Sequence, residues 1–459
     1  MTLEGKTKIH FIGIGGIGMS AIAEILLALG YEVSGSDVAL SSRVQRLMTQ
    51  GARIDIGQSA DHIHKDMDLV VHSTAIRLDN PERRAAEALH IPVCHRSEVL
   101  GELMRRQKGI CVAGSHGKTT TSSMVSLVLE KNNLDPTIVV GGVINEIGSN
   151  AKLGRGEYLA AEADESDGSF LNLHPWYTIV TNVEEDHLDH YKDIKAIQDI
   201  FRRFVQLTAV DGHVLLCADC PEALALKEVA PADVKTYGYS DQADYRICNH
   251  QQKGSLNEAD IYQGSDYLGR LELIIPGRHN MQNALAATIC AMDLGLSFEA
   301  IAATLRGFHG TKRRFQLVGD VADIQVVDDY AHHPTEISAT IQAAKDCHTG
   351  RVVAVFQPHR YSRTQFLADK FAAALSAADD IFLLDVYPAG EDPIEGVSSQ
   401  LILDCLPAGR TGTLCKEEAV AQELTGHLQP GDMVLVMGAG SIWQEAPNIV
   451  EALKEKYLS

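Results

Sequence analysis

Twice in its first third the chain runs from a short β-branched strand through a glycine turn into a helix, and nothing else in it constrains the fold as tightly. The first passage is "KIHFIGIGGIGMSAIAEILLALG", residues 8–30; the second is "GICVAGSHGKTTTSSMVSLVLE", residues 109–130. Strands that end in glycine and feed a helix belong to parallel sheets wrapped by helices, with ligands at the carboxyl ends of the strands. "YEVSGSD", "MDLVVHSTAI" and "IPVCHRS" extend the first sheet. Charge rises at "GELMRRQKG", and a second unit begins there. It continues through "YLAAEADESD" and "YTIVTNVEEDHLD", then through short strands with little helix between them ("GHVLLCAD", "DYRICN", "ADIYQG", "RLELIIPG"), which read as an antiparallel flank. After "GFHGTKRRFQ" a third unit carries "IQVVDDYA", "RVVAVFQP", "DIFLLDVYP" and "DMVLVMGAG", separated by helical stretches. With 459 residues the chain exceeds one hydrophobic core. The expectation is three α/β domains in series: 1–105, Rossmann-like; 106–312, a phosphate-loop domain with a parallel sheet and small antiparallel flank; 313–459, again Rossmann-like.

Composition narrows the partners. Acidic residues outnumber basic ones 61 to 40, a net charge of −21, so nucleic acid would be repelled while small anions can still find local positive sites. Of nine cysteines the one close pair is Cys217 and Cys220, and no second pair completes a zinc set; reduced core or turn cysteines are expected. The opening residues lack a signal-peptide apolar core, and no apolar run approaches the ~20 residues that span a bilayer. A cytoplasmic protein without membrane insertion is expected.

The loop Gly114–Thr120 has the chemistry of a phosphate cradle. Glycines let backbone N–H groups converge on an anion, the following helix adds its positive end, and Lys118 supplies a mobile cation. Gly114, Ser115, His116, Gly117, Lys118, Thr119 and Thr120 are therefore candidate phosphate contacts, with a threonine hydroxyl for Mg²⁺. Val112 stands where the full Walker pattern has its first glycine, so the loop is a shortened variant. Two acidic runs at strand ends offer oxygen ligands: Glu162, Asp164, Glu165 and Asp167 in "EADESD", then Asp186, His187, Asp189 and His190 in "EEDHLDHY". Mg²⁺ takes one or two protein carboxylates, so at least one ligand per run is expected and most of the remaining acids read as solvated loop.

In the first passage Gly13, Gly15 and Gly18 satisfy G-x-G-x-x-G, and Asp37 follows nineteen residues after Gly18 at the end of the next strand. Such a turn binds a pyrophosphate and ribose. It suits a nicotinamide dinucleotide or a UDP-sugar equally, so an oxidoreductase remains open on these residues.

Together, "IHFIGIGGIGMS", "GSHGKTTT", "EADESDGSF", "TNVEEDHLDHY", "GRHNMQNALAA", "RRFQ", "DDYAHHPTE" and "HRYSRT" resemble the Mur ligases in content and order, over nearly the whole chain. The resemblance implies UDP-substrate, ATP-binding and amino-acid domains in that order. It implies ATP-dependent attachment of L-alanine to the lactyl carboxylate of UDP-N-acetylmuramate, for cytoplasmic peptidoglycan precursor synthesis; a sister ligase adding another amino acid or a peptide is the alternative. Lys118, Asn280, Asn283, Arg314 and Asp329 then match the ATP contacts, and His279 belongs to the same motif. Thr119, Glu162 and His187 match the residues that hold two Mg²⁺ ions. Gly15, Gly16, Ile17, Gly18, Asp37 and Ser73 match the UDP-substrate contacts, and Arg360 and Arg363 the substrate-anchoring arginines.

The chemistry agrees with this assignment. A carboxylate becomes an acyl donor once phosphorylated, and Lys118, Mg²⁺ and Arg314 would offset the crowding of anions. His332 or His333 is a candidate base for the incoming amine. Arg360 and Arg363, three apart, are expected to grip a carboxylate or phosphate together from neighbouring helical turns. Residues 311–315 are the expected hinge for closing such a site against water.

Overall fold

The computed structural model describes residues 2–186 and 190–458. Its strands form three sheets. The first holds β1 (Lys8–Ile12), β2 (Glu32–Asp37), β3 (Arg53–Ile56), β4 (Leu69–His72) and β5 (Val93–His95), in the order β3-β2-β1-β4-β5 and parallel throughout. β1 sits at its centre because Ile9, Phe11 and Ile12 bury completely, and the helix Ile17–Ala28 lays Ile22, Ile25 and Leu26 on the sheet. β3 is invisible in the apolar pattern: it is an edge strand, mostly exposed, held by its backbone ladder.

The second sheet holds β6 (Lys108–Ala113), β7 (Thr137–Ile144), β8 (Ser149–Lys152), β9 (Tyr158–Glu162), β10 (Pro175–Val180), β11 (His213–Cys217), β12 (Asp233–Gly238), β13 (Tyr245–Lys253), β14 (Leu256–Gln263) and β15 (Asp266–Leu273). Their order is β15-β14-β13-β12-β11-β10-β6-β9-β7-β8. β13, β14 and β15 make the antiparallel flank, and β8 adds an antiparallel edge on β7. Helices Lys118–Lys131 and Arg278–Asp293 pack on one face through Met124, Val128, Leu285 and Ile289. On the other face Val139 and Ala151 join the core of the first sheet, so helix Ile17–Ala28 is shared between the two.

The third sheet holds β16 (Gln316–Val321), β17 (Ile324–Asp329), β18 (Val352–Phe356), β19 (Asp380–Leu383), β20 (Thr413–Leu414) and β21 (Met433–Met437), in the order β16-β17-β21-β18-β19-β20. Only β16 pairs antiparallel, and separate cores cover the two faces. Between the second and third sheets the chain is held at both ends: Thr311 bridges to Ile144, and the Tyr330 N–H donates to the Arg313 carbonyl at 2.8 Å. Arg313 and Phe315 take positive φ of 62° and 48°, a costly conformation for side-chain-bearing residues. Among the described residues no helix is long and apolar enough to cross a membrane.

Candidate active site

Register sets the site. β6 is central: Val112 pairs with Glu162 of β9, and Ala113 with Val180 of β10, so three strands deliver the phosphate loop, Glu162 and Thr181 to one edge. Gly114 must be glycine there. Its φ is 138°, and a Cβ would lie 2.0 Å from Thr181 Oγ1. The loop hangs on the residues after β10, with the His116 N–H donating to Asn182 Oδ1 at 2.8 Å and Glu184 N–H to Ser115 Oγ at 2.8 Å.

Lys118 folds back over this loop. Its Nζ donates to the Gly114 and Ser115 carbonyls at 2.6 and 3.1 Å and to Glu165 Oε1 at 2.8 Å. Burial disfavours the ammonium, but Glu165, Asp164 and Glu162 outweigh it and hold Lys118 above its ordinary value. Beside it Glu162 Oε2 accepts from Thr119 Oγ1 at 2.8 Å and from the Gly141 N–H at 2.9 Å, while burial raises its carboxyl despite Lys118. A Cβ on Gly141 would lie 2.4 Å from that oxygen, so β7 is cut away to seat the carboxylate. A half-buried carboxylate next to a threonine hydroxyl is a hard oxygen donor set that fits Mg²⁺.

A cavity of about 270 Å³ opens beside the loop, lined by His116, Gly117, Thr120, His279, Asn280, Asn283, Arg314, Asp329 and Glu336. Candidates scattered over 200 residues of sequence thus converge. Asn283 Oδ1 accepts from Thr121 Oγ1 at 3.1 Å, and Asn280 Nδ2 donates to the Pro276 carbonyl at 2.6 Å. Asp329 caps its own turn, accepting from Phe315 and Ala331 N–H at 2.7 Å each. Burial lowers Arg314, yet Glu336, Asp329 and Glu162 hold it above its ordinary value. The His116 imidazole lies 3.4 Å from Glu184 and 3.2 Å from Glu336; burial would keep it neutral, but the two carboxylates push it up to about 10. Sequence reasoning missed Glu336, Asn182 and Gly141, whose roles depend on contacts far along the chain. Glu165, an expected oxygen ligand or solvated acid of that run, is instead the buried counterion of Lys118.

On the third sheet His332 Nδ1 lies 3.0 Å from the Tyr330 carbonyl, and burial outweighs Glu336 to bring the ring down to about 4. His332 is neutral at pH 7. Arg360 and Arg363, expected to grip a substrate anion together, each face a different acid of the chain. Arg360, at φ 72°, precedes the helix Tyr361–Leu375 and turns toward Glu391 at 3.8 Å; Arg363 lies in the first turn and pairs with Asp186 at 2.9 Å. Asp186 is therefore an interdomain counterion rather than a solvated loop acid. His187 and Asp189 lie outside the described residues.

At the first sheet Gly15 is buried, and its N–H donates to Asp37 Oδ2 at 2.7 Å; Gly16 and Ile17 are exposed at the turn, with Gly18 half-buried. One Asp37 oxygen thus holds the turn itself, a task the ribose reading did not foresee. Ser73 directly follows β4, where its carbonyl accepts from the Ile76 N–H. The remaining acids of "EADESD" are not a solvated loop either: Asp164 pairs with Arg96 at 3.2 Å, and Asp167 accepts from Thr74 and faces His95 at 3.6 Å. They join the first domain to the second.

Fold and site define a three-domain α/β protein with a phosphate loop, beside which a cavity is completed by the third domain. The chain belongs to the Mur ligase family: residues 8–108 match its catalytic domain, 112–291 its middle domain and 313–440 its glutamate ligase domain. It is 49% identical to the UDP-N-acetylmuramate–L-alanine ligase of Pelotomaculum thermopropionicum over 458 residues, 99% of each chain. It is 45% identical to that of Agrobacterium fabrum, over 97% of each. Among solved structures, UDP-N-acetylmuramate-alanine ligase MurC of Thermotoga maritima matches with a TM-score of 0.83 at 30% identity, over 98% of this chain and 99% of that one. A murein peptide ligase of Psychrobacter arcticus matches with 0.74 at 25% identity, over 97% and 98%. Family membership sets aside the nicotinamide reading of the first glycine turn.

Proposed function

We propose that the protein joins L-alanine to the lactyl carboxylate of UDP-N-acetylmuramate, driven by ATP and releasing ADP and phosphate. The observation that carries this is likeness over the full chain, in sequence and fold alike, to ligases of that name. The first domain takes the UDP-substrate at the glycine turn of Gly15–Gly18, near Asp37 and Ser73. The loop Gly114–Thr120 with Asn280, Asn283, Arg314 and Asp329 takes ATP, and the third domain takes the amino acid.

The lactyl carboxylate attacks the γ-phosphorus of ATP; the new bond to oxygen forms as the bridging bond to ADP breaks. Lys118 leaves Glu165 for the phosphates, and Arg314 supplies a second fixed cation as anions converge. Thr119 and Glu162 would hold Mg²⁺, whose chemistry here is neutralisation of phosphate charge. The amine of alanine then attacks the acyl carbon, and phosphate leaves with both electrons of the C–O bond.

His332, with its ring at about 4, is too weak a base to deprotonate alaninium: even a peptide α-amino group lies near 7.7–8.0, a gap of roughly 5 kcal/mol. The ammonium of free alanine, beside its own carboxylate, is less acidic still. His332 suits the later proton, on the far more acidic nitrogen of the tetrahedral adduct. Free amine comes from the solution equilibrium.

Phosphate release with UDP-N-acetylmuramate and a panel of amino acids tests the assignment, and alanine should give the highest kcat/KM. Carboxylate labelled with ¹⁸O should pass one labelled oxygen to phosphate. Unlabelled phosphate would end the acyl-phosphate reading.

A further inference from the structure

Glu336 lies in the first turn of the helix Pro334–Cys347, and its side chain is 12% exposed. Both of its oxygens are engaged, by groups from three separate segments. Oε1 is 3.2 Å from His116 Nδ1 and 3.7 Å from Arg314 Nη1. Oε2 accepts from the His332 N–H at 3.0 Å and lies 3.3 Å from His332 Nδ1. Burial opposes its charge, yet the groups around it hold its carboxyl well below the usual range.

These partners sit at the three places closure has to bring together. His116 belongs to the phosphate loop, and its main chain is already tied to the residues after β10 through Asn182. Its imidazole alone reaches toward the third domain, against Glu336 and tilted over His333 with ring centres 4.8 Å apart. Arg314 lies in the connection between the second and third sheets. His332 sits directly before the helix that carries Glu336. The neighbouring Thr335 adds a parallel link, donating to Glu184 Oε2 at 2.7 Å. Buried polar networks of this kind favour one arrangement strongly, because any partner left unmatched in low dielectric is costly. If the third domain swings away, His116 and Arg314 both lose a counterion.

We propose that Glu336 is a positioning residue that couples arrival of the third domain to the order of the phosphate loop and the aim of Arg314; this rests on the ligase reading above. Glu336 acts on the reacting groups through His116 and Arg314 rather than by touching them.

The test uses the full chain carrying Glu336→Gln, Glu336→Ala, His116→Gln, or Glu336→Gln with His116→Gln. Thermal melting checks folding, and the isosteric Gln variant carries the test if the Ala variant does not fold. In phosphate release, Glu336→Gln should lower kcat at least tenfold while KM for UDP-N-acetylmuramate, whose site is on the first sheet, stays within twofold. The double variant should fall no more than threefold below the worse single variant, because both remove one coupling.

Small-angle scattering with UDP-N-acetylmuramate and a non-hydrolysable ATP analogue gives a readout independent of turnover. Glu336→Gln should need at least tenfold more analogue to reach half-compaction. A kcat and compaction midpoint within twofold of the parent, or single effects that multiply in the double variant, would overturn the proposal. A parent that releases no alanine-dependent phosphate refutes the ligase reading instead; the compaction midpoint alone then decides for or against Glu336.

Discussion

Gly141→Ala places a methyl group where Glu162 sits, and its consequence can be worked from distances. The backbone at Gly141 does not require glycine, so space alone decides. The added Cβ would lie 2.4 Å from Glu162 Oε2 and 2.9 Å from Cδ, whereas ordinary contact begins at 3.4 Å; the carboxylate must withdraw by about 1 Å. That breaks the 2.9 Å bond from the Gly141 N–H and strains the 2.8 Å bond from Thr119. Overpacking of this kind costs ~1–3 kcal/mol, and each kcal/mol corresponds to roughly 2–4 °C in Tm for a domain of this size. The catalytic effect should be larger, since a 1 Å misplacement costs ~10²-fold. In phosphate release we expect kcat to fall about 100-fold. The Mg²⁺ concentration for half-maximal rate should rise, and KM for UDP-N-acetylmuramate should hold. Shortening the acid relieves the clash, so Gly141→Ala with Glu162→Asp should be no slower than Glu162→Asp alone. Parental turnover with parental Mg²⁺ dependence in Gly141→Ala would refute the assignment of Glu162.

Lys118→Ala should abolish phosphate release while calorimetry finds UDP-N-acetylmuramate binding largely intact, because the two sites lie on different sheets; loss of both would refute that division. His116 holds its proton more tightly folded than unfolded, about 10 against 6.5, through burial overcome by Glu184 and Glu336. Its stabilisation is therefore full below pH 6.5 and disappears as pH rises toward 10, so Tm of the parent should fall more between pH 7 and 9.5 than that of His116→Gln. Equal slopes would show that the imidazole carries no such linkage. Asp37→Ala strips the Gly15 N–H of its acceptor, a loss of ~1–2 kcal/mol. Binding of UDP-N-acetylmuramate should weaken roughly 5–30-fold with KM for ATP unchanged, as titration calorimetry and initial rates would show.

The parts of this protein readable from its residues are those governed by local rules. Apolar runs gave β1, β4, β6, β10 and β17, because buried parallel strands must be apolar, and glycines marked the turns after β1 and β6, where Gly13 and Gly114 take positive φ. β3 stayed hidden because an exposed edge strand needs no apolar pattern, and β7 because Gly141 and Gly142 interrupt its pattern. The glycines make sense only beside Glu162 and Thr119, which reach them from another strand and from a helix.

The same division holds at the site. Lys118, Thr119 and Glu162 are candidates from the chemistry of a phosphate loop and a strand-end acid, whereas Asn280, Asn283, Arg314 and Asp329 are candidates through the resemblance to the Mur ligases alone. Their partners could not be named either way. Glu165 against Lys118, Asp186 against Arg363, and Glu336 against His116 and Arg314 join residues up to 220 positions apart. Nothing in local sequence distinguishes these acids from their solvated neighbours. What residue order settled was the repertoire of groups and the three sheets that present them. Which carboxylate meets which cation was decided by the packing of one sheet against the next, because only folding brings those charges close enough, and dry enough, for the pairing to matter.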